Sequence, residues 1–101
     1  MTECLARVAK VDEDVQAWTF LDPDHALAQA RAGDGARRSR APSGLLHGVP
    51  IGIKDILDTA DMPTENGSVL HAGRTPSRDA HAVTRLSPQG AGTMGQGGRT
   101  E

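Results

Sequence analysis

The residue with the clearest chemical potential is Lys54, near the end of the run LHGVPIGIKD, residues 46–55. Val49, Ile51 and Ile53 recur at period two, with Pro50 and Gly52 between them, which predicts a short strand with one buried face. That strand would deliver Lys54 to a place where its ammonium is costly to desolvate, with Asp55 following at once. A lysine held in this way serves as a base, because burial disfavours its charged form. A plain surface lysine at a strand end is the ordinary alternative, and spacing alone leaves both readings open.

A base needs a nucleophile to serve. None of Ser39, Ser43, Ser68, Ser77 and Ser87 lies in a G-x-S-x-G elbow, and none sits in a dense Gly/Ser run that would expose a hydroxyl beside backbone donors. Ser68 comes nearest, but its place after Asn66-Gly67 reads as a turn residue bonding its own backbone. Asp58 and Asp61 flank a turn and suit local backbone capping; nothing supports them as a general acid pair.

Residues 90–95, GAGTMG, match the G-x-G-x-x-G fingerprint of dinucleotide sites. That chemistry requires a strand before the glycines, a helix after them and an acidic ribose ligand about 20 residues on. Ser87-Pro88-Gln89 precedes the glycines and the chain carries no such acid, so nucleotide binding is not expected. His25, His47, His71 and His81 have no spacing that sets two on one helical face, so no metal site is expected. His47, before a glycine ahead of the strand, suits a structural hydrogen bond. Arg37, Arg38 and Arg40 cluster in a Gly/Ser/Pro-containing segment and read as a solvated linker rather than a phosphate site.

Composition sets further limits. Across 101 residues there are 8 Leu, 3 Ile, 6 Val and 1 Phe, with one Trp and no Tyr. That permits one domain at most and a thin core, so a chain of this composition is expected to be marginally stable by itself. The formal net charge of −2 argues against nucleic acid as the main partner. Cys4 is the single cysteine, which excludes an internal disulfide; it reads as a small apolar helix residue rather than a reactive thiol. MTECLARVAK places charges where a signal peptide needs its apolar region, and no uncharged run approaches a membrane span. A cytoplasmic protein that engages no membrane is expected.

The elements that must position Lys54 follow from local signals. Thr2 is expected to cap a helix through about Lys10, ended by the acidic cluster Asp12-Glu13-Asp14. Val15 to Phe20 reads as extended. Asp22, Pro23 and Asp24 form an N-cap, first helical position and first-turn acid, opening a helix with Ala26, Leu27 and Ala30 as its stripe and Gly33 as its stop. These make residues 1–32 a helical N-terminal region, followed by a loop over 33–44. Residues 45–86 hold the Lys54 strand, a loop over 58–70 turning at Asn66-Gly67, and a short helix from a Ser77 cap to Leu86, with Asp79 in its first turn. Residues 87–101 read as a Gly-rich tail without periodicity.

The segments LHGVPIGIKDILDTADMPTENGS and HAGRTPSRDAHAVTRL closely resemble the amidase signature family, serine hydrolases of carboxylic amides related to the catalytic subunit of glutamyl-tRNA amidotransferase. VQAWTFLDPDHALAQA is similar to that family's N-terminal helical region, so the resemblance runs over about residues 3–86. It implies an α/β fold, with this chain forming the N-terminal part of a mixed β-sheet flanked by helices, incomplete as an independent fold. It implies a Ser–cis-Ser–Lys triad in which Lys54 is the base, with no metal or organic cofactor and a small amide as substrate. Keeping a lysine neutral near neutral pH corresponds to roughly 4–5 kcal/mol of differential solvation, which a dry surround must supply. By the resemblance, both serines and the oxyanion loop lie beyond residue 101, so this chain by itself is expected to be inactive. A non-catalytic remnant or interaction fragment is the alternative. The resemblance also implies an aliphatic strand after Leu86, where this chain has SPQGAGTMGQGGRTE; glycines there predict a weakened strand.

Overall fold

A computed structural model of the chain describes residues 1–90 and 92–97. Its order is helix α1 (Thr2–Val15), strand β1 (Trp18–Leu21), helix α2 (Pro23–Arg38), strand β2 (Pro50–Lys54), a 3₁₀ turn (Val69–His71), helix α3 (His81–Leu86), a second 3₁₀ turn (Ser87–Gln89) and strand β3 (Gly92–Gly97). The three strands form one mixed sheet in the order β1-β3-β2, with β3 antiparallel to β1 and parallel to β2. The α/β expectation is met, as a flat slab of about 45 × 31 × 19 Å.

Helix α2 starts where the sequence says it must. Asp22 is extended and its carboxylate accepts from the His25 N–H at 3.0 Å, with Pro23 first in the helix. Its end is a correction. The helix passes through Gly33 and Gly35 to Arg38, so the loop expected over 33–44 begins at residue 39. Neither glycine has a positive φ, and Arg37 and Arg38 in the last turn suit the negative end of the helix dipole. Helix α1 likewise outruns its expected end. It continues through the acidic cluster to Val15 and closes on Gln16 at φ 52°, where Asp12 supplies both a carbonyl to the Gln16 N–H and a carboxylate to the Ala17 N–H. Met1, not Thr2, holds its N-cap position.

The largest correction is β3. The segment expected to be a weak tail contains the central strand of the sheet, paired on both sides. Residues 98–101, the end of that expected tail, lie outside the described residues. Glycine is a poor strand former by itself, so the sheet must compensate elsewhere. Strand β1 does so. A Cβ on Gly95 would meet the Phe20 carbonyl oxygen at 2.5 Å and Leu21 Cδ1 at 3.0 Å, and a Cβ on Gly52 would meet Trp18 Cη2 at 2.7 Å. Trp18 and Leu21 thus lie over the bare glycines of β3 and β2, supplying the apolar cover those residues lack. Where β1 ends, helix α2 continues the pairing: the Gln29 amide accepts from the Thr93 N–H at 3.1 Å and donates to the Thr93 carbonyl at 3.0 Å.

The opposite face of the sheet holds a small, partly polar core. Ile53 is buried there, and Met62, Val83 on α3 and Ala26 on α2 are the other buried hydrophobic side chains among the described residues. Gln96 is fully buried among Thr59, Thr64 and Ile53, its amide 2.6 Å from the Thr59 hydroxyl. The amide orientation that satisfies both ends lets its nitrogen donate to the Ile53 and Lys54 carbonyls at 3.2 Å. Helix α3 begins at His81 with Ala80 as its N-cap, so Ser77 does not cap it. Asp79 acts outside the helix, its carboxylate accepting from the Ala60 N–H at 2.7 Å.

Candidate active site at the carboxyl end of strand β2

Strand β2 alternates as expected over its last three residues, with Ile53 buried and Gly52 and Lys54 exposed on the other face, while Pro50 and Ile51 are both half-buried. Val49 falls before the strand and is 42% exposed, so it does not join the apolar stripe. Lys54 ends the strand. Because β2 and β3 run parallel, Lys54 and its partner Gly97 lie at the carboxyl ends of adjacent parallel strands. In open α/β sheets that end is where ligands bind.

Among the described residues the Lys54 side chain is exposed. β2 is an edge strand of the described sheet, and on the face that carries Lys54 the Trp18 indole lies over Gly52. Among the described residues no carboxylate forms an ion pair with Lys54.

Asp55 does the opposite of its neighbour. It is 5% exposed, and its two carboxylate oxygens accept from the Glu65 N–H at 2.8 Å and the Gly67 N–H at 3.3 Å. Its own N–H donates to the Gly97 carbonyl at 2.8 Å, extending the β2–β3 ladder by one rung. The Lys-Asp pair therefore divides its labour, the lysine facing solvent and the aspartate anchoring the turn beneath. That turn is the one expected at Asn66-Gly67, with φ 55° and 66°. Sequence reasoning gave Asp55 no role; the signal was a carboxylate at a strand end ten to twelve residues before a turn with free N–H groups.

The other candidates scatter. Ser68 accepts from the Leu70 N–H at 3.3 Å, the backbone role expected of it. Asp58 binds Arg74 through both oxygens, at 2.8 and 3.1 Å, and Arg74 beside it holds its carboxyl below the usual carboxylate range. Asp61 lies 2.7 Å from His25 Nε2. Both aspartates are tied to distant side chains instead of capping their own turn. His47 donates its N–H to the Gly44 carbonyl at 3.2 Å. The GAGTMG run is strand and approach to strand, not a turn opening a helix; Ala91 lies outside the described residues. Two clefts of about 370 and 360 Å³ adjoin His47, Gly90 and Gly92, at the amino ends of β2 and β3. Lys54 lines neither, so those clefts do not serve it.

The Amidase family profile matches residues 1–101. The putative amidase AmiD of Mycobacterium tuberculosis is 39% identical over 97 residues, covering 96% of this chain and 20% of that protein. A glutamyl-tRNA(Gln) amidotransferase subunit from Chloroflexus aurantiacus is 41% identical over 93 residues, covering 92% of this chain and 19% of that protein. Among solved structures, the native peptide amidase of Stenotrophomonas maltophilia superposes with a TM-score of 0.84 at 38% identity, over 92% of this chain and 19% of that one. The chain thus spans about a fifth of the length of the relatives it matches. With the profile matched from end to end and the fold shared with solved amidases, the chain belongs to the amidase family.

Proposed function

We propose that this chain is the lysine-bearing part of a serine-dependent amide hydrolase, with Lys54 as the general base of a Ser–cis-Ser–Lys triad and a small carboxylic amide as substrate. The observation that carries the reading is the family match over the whole chain, combined with the place of Lys54 at the carboxyl ends of two parallel strands. The proton path is simple. Neutral Nζ takes the proton of a bridging serine hydroxyl, which takes that of the nucleophile as it attacks the amide carbon; as the C–N bond breaks, the reverse relay gives one proton to the leaving amine and returns Nζ to its neutral form. The serines belong to the four-fifths of such proteins that this chain does not span, so the 101 residues alone supply a base without a nucleophile. The exposed Lys54 fits that division, because the segment bearing the serines is also what would exclude water around the amine. No helix among the described residues is long and apolar enough to cross a membrane; we place the protein in the cytoplasm, with no nucleic acid or membrane partner.

The test joins this chain to the downstream segment of a close amidase relative and measures hydrolysis of an aryl amide. Lys54→Ala should lose about three orders of magnitude or more in acylation rate, since base and nucleophile act as a unit. Lys54→Arg should fare little better, because a guanidinium does not give up its proton. Near-full activity in Lys54→Arg refutes the general-base role. A second reading, a non-catalytic interaction fragment, draws on β1 and β2 both being sheet edges and on Val69 and Leu70 being 91% and 89% exposed. It gains if the joined protein folds and stays inactive.

A further inference from the structure

Trp18, Gly97 and Lys54 stand in one row across the sheet. Trp18 pairs with Gly97, and Gly97 pairs with Lys54. Between the tryptophan and the lysine there is no side chain, because the central residue is glycine. The indole uses that space. Its Cε3 would lie 4.0 Å from a Cβ on Gly97, and its Cη2 and Cζ3 would lie 2.7 and 3.1 Å from a Cβ on Gly52. The ring therefore reaches over β3 onto β2, on the face that Gly52 shares with Lys54 at period two. Two residues along a strand is about 6.6 Å, close enough for an aromatic edge to bound the stem of a long side chain.

We propose that Trp18 is a positioning residue for Lys54: its indole, admitted by Gly97 and Gly52, walls one side of the lysine stem and restricts the directions its amine can take. A lysine side chain has many accessible rotamers, so an open strand-end lysine is a poorly aimed base. A rigid ring beside it removes some of that freedom before substrate arrives. The inference rests on the reading of Lys54 as a base for its purpose, but not for its test, which needs no turnover.

The chain has only two lysines, Lys10 and Lys54, so reductive ¹³C-methylation gives two lysine methyl signals apart from the N-terminus. In the 101-residue chain, in a stabilising osmolyte, ring currents should displace the Lys54 methyl signal upfield of Lys10. Nuclear Overhauser contacts from the Lys54 methylenes to the Trp18 indole protons should accompany it. Trp18→Leu should remove half or more of that displacement and leave Lys10 unmoved, and Trp18→Phe should restore part of it. Gly52→Ala, whose new methyl would collide with the indole, should also move Lys54, which covers the case of an unfolded Trp18→Leu. Coincident Lys54 and Lys10 signals in the parent chain overturn the proposal. So does a Lys54 signal unchanged in folded Trp18→Leu or folded Gly52→Ala. Failure of the base assignment shows separately, as retained activity in Lys54→Arg of the joined protein.

Discussion

Gln96→Leu should destabilise the chain by about 2–3 kcal/mol, although the substitution makes a buried residue more apolar. Gln96 is fully buried at the centre of the sheet, 2.6 Å from the Thr59 hydroxyl and 3.3 Å from that of Thr64, with the Ile53 and Lys54 carbonyls at 3.2 Å. Each intramolecular hydrogen bond contributes about 1 kcal/mol net, and stranding a buried partner costs about 1–3 kcal/mol. The penalty is limited because Thr59 keeps the Met62 carbonyl at 3.3 Å and Lys54 keeps the Ile56 and Leu57 N–H groups. Apolar burial of the new leucine offsets part of the rest. Because removal of both partners is cheaper than removal of one, Gln96→Leu with Thr59→Val should lose less than the sum of the two single changes, by about 1 kcal/mol or more. The assay is urea unfolding in a stabilising osmolyte, followed by far-UV circular dichroism and by the fluorescence of Trp18, which reports on the β1–β3 pair. A neutral or stabilised Gln96→Leu, or strict additivity with Thr59→Val, refutes the reasoning and makes the buried polar cluster incidental.

The 101-residue chain alone should show no turnover of an aryl amide, and turnover abolished by Lys54→Ala would contradict the proposed division of the triad. It should melt broadly and bind hydrophobic dyes, given four buried apolar residues among those described; a sharp cooperative transition is the opposing result. Gly95→Val should disrupt the β1–β3 pair, because its branched side chain would meet the Phe20 carbonyl and Leu21, and amide exchange in β1 should rise accordingly. Asp58 has its pKa lowered in the folded chain, first by the hydrogen bond from Arg74, so its contribution to stability is present above the unfolded-state value and lost as pH falls through the folded one. Asp58→Asn should therefore leave stability at low pH unchanged and lower the neutral plateau slightly, flattening the acid limb by that same small amount, as expected of an exposed pair.

Whether an element was legible in the sequence depended on whether its cause was local. The start of α2 was readable because cap, proline and first-turn acid act within four residues, and β2 was readable because period two is a property of one strand. The missed elements have distant causes. Nothing near Gly92–Gly97 announces a central strand; its stability comes from Trp18 and Leu21 some 75 residues earlier, from Gln29 at its open edge, and from Thr59 and Thr64 around Gln96. The expected end of α2 failed for a related reason, since Gly33 signals a stop only where the backbone turns left-handed, and here it does not. The same division runs through the candidate site. Lys54 could be singled out from ten residues of sequence, whereas the anchoring by Asp55 needed the turn at 65–67 and the placing of Trp18 needed two glycines on different strands. The resemblance had implied an aliphatic strand after Leu86, and the position of that strand held while its side chains did not. A sheet tolerates the exchange when a neighbouring strand supplies the lost apolar surface, so β1 and β3 should behave as one compensated unit, and because the Trp18 indole also lies over Gly52, changes at Trp18 should reach the strand that carries Lys54 as well.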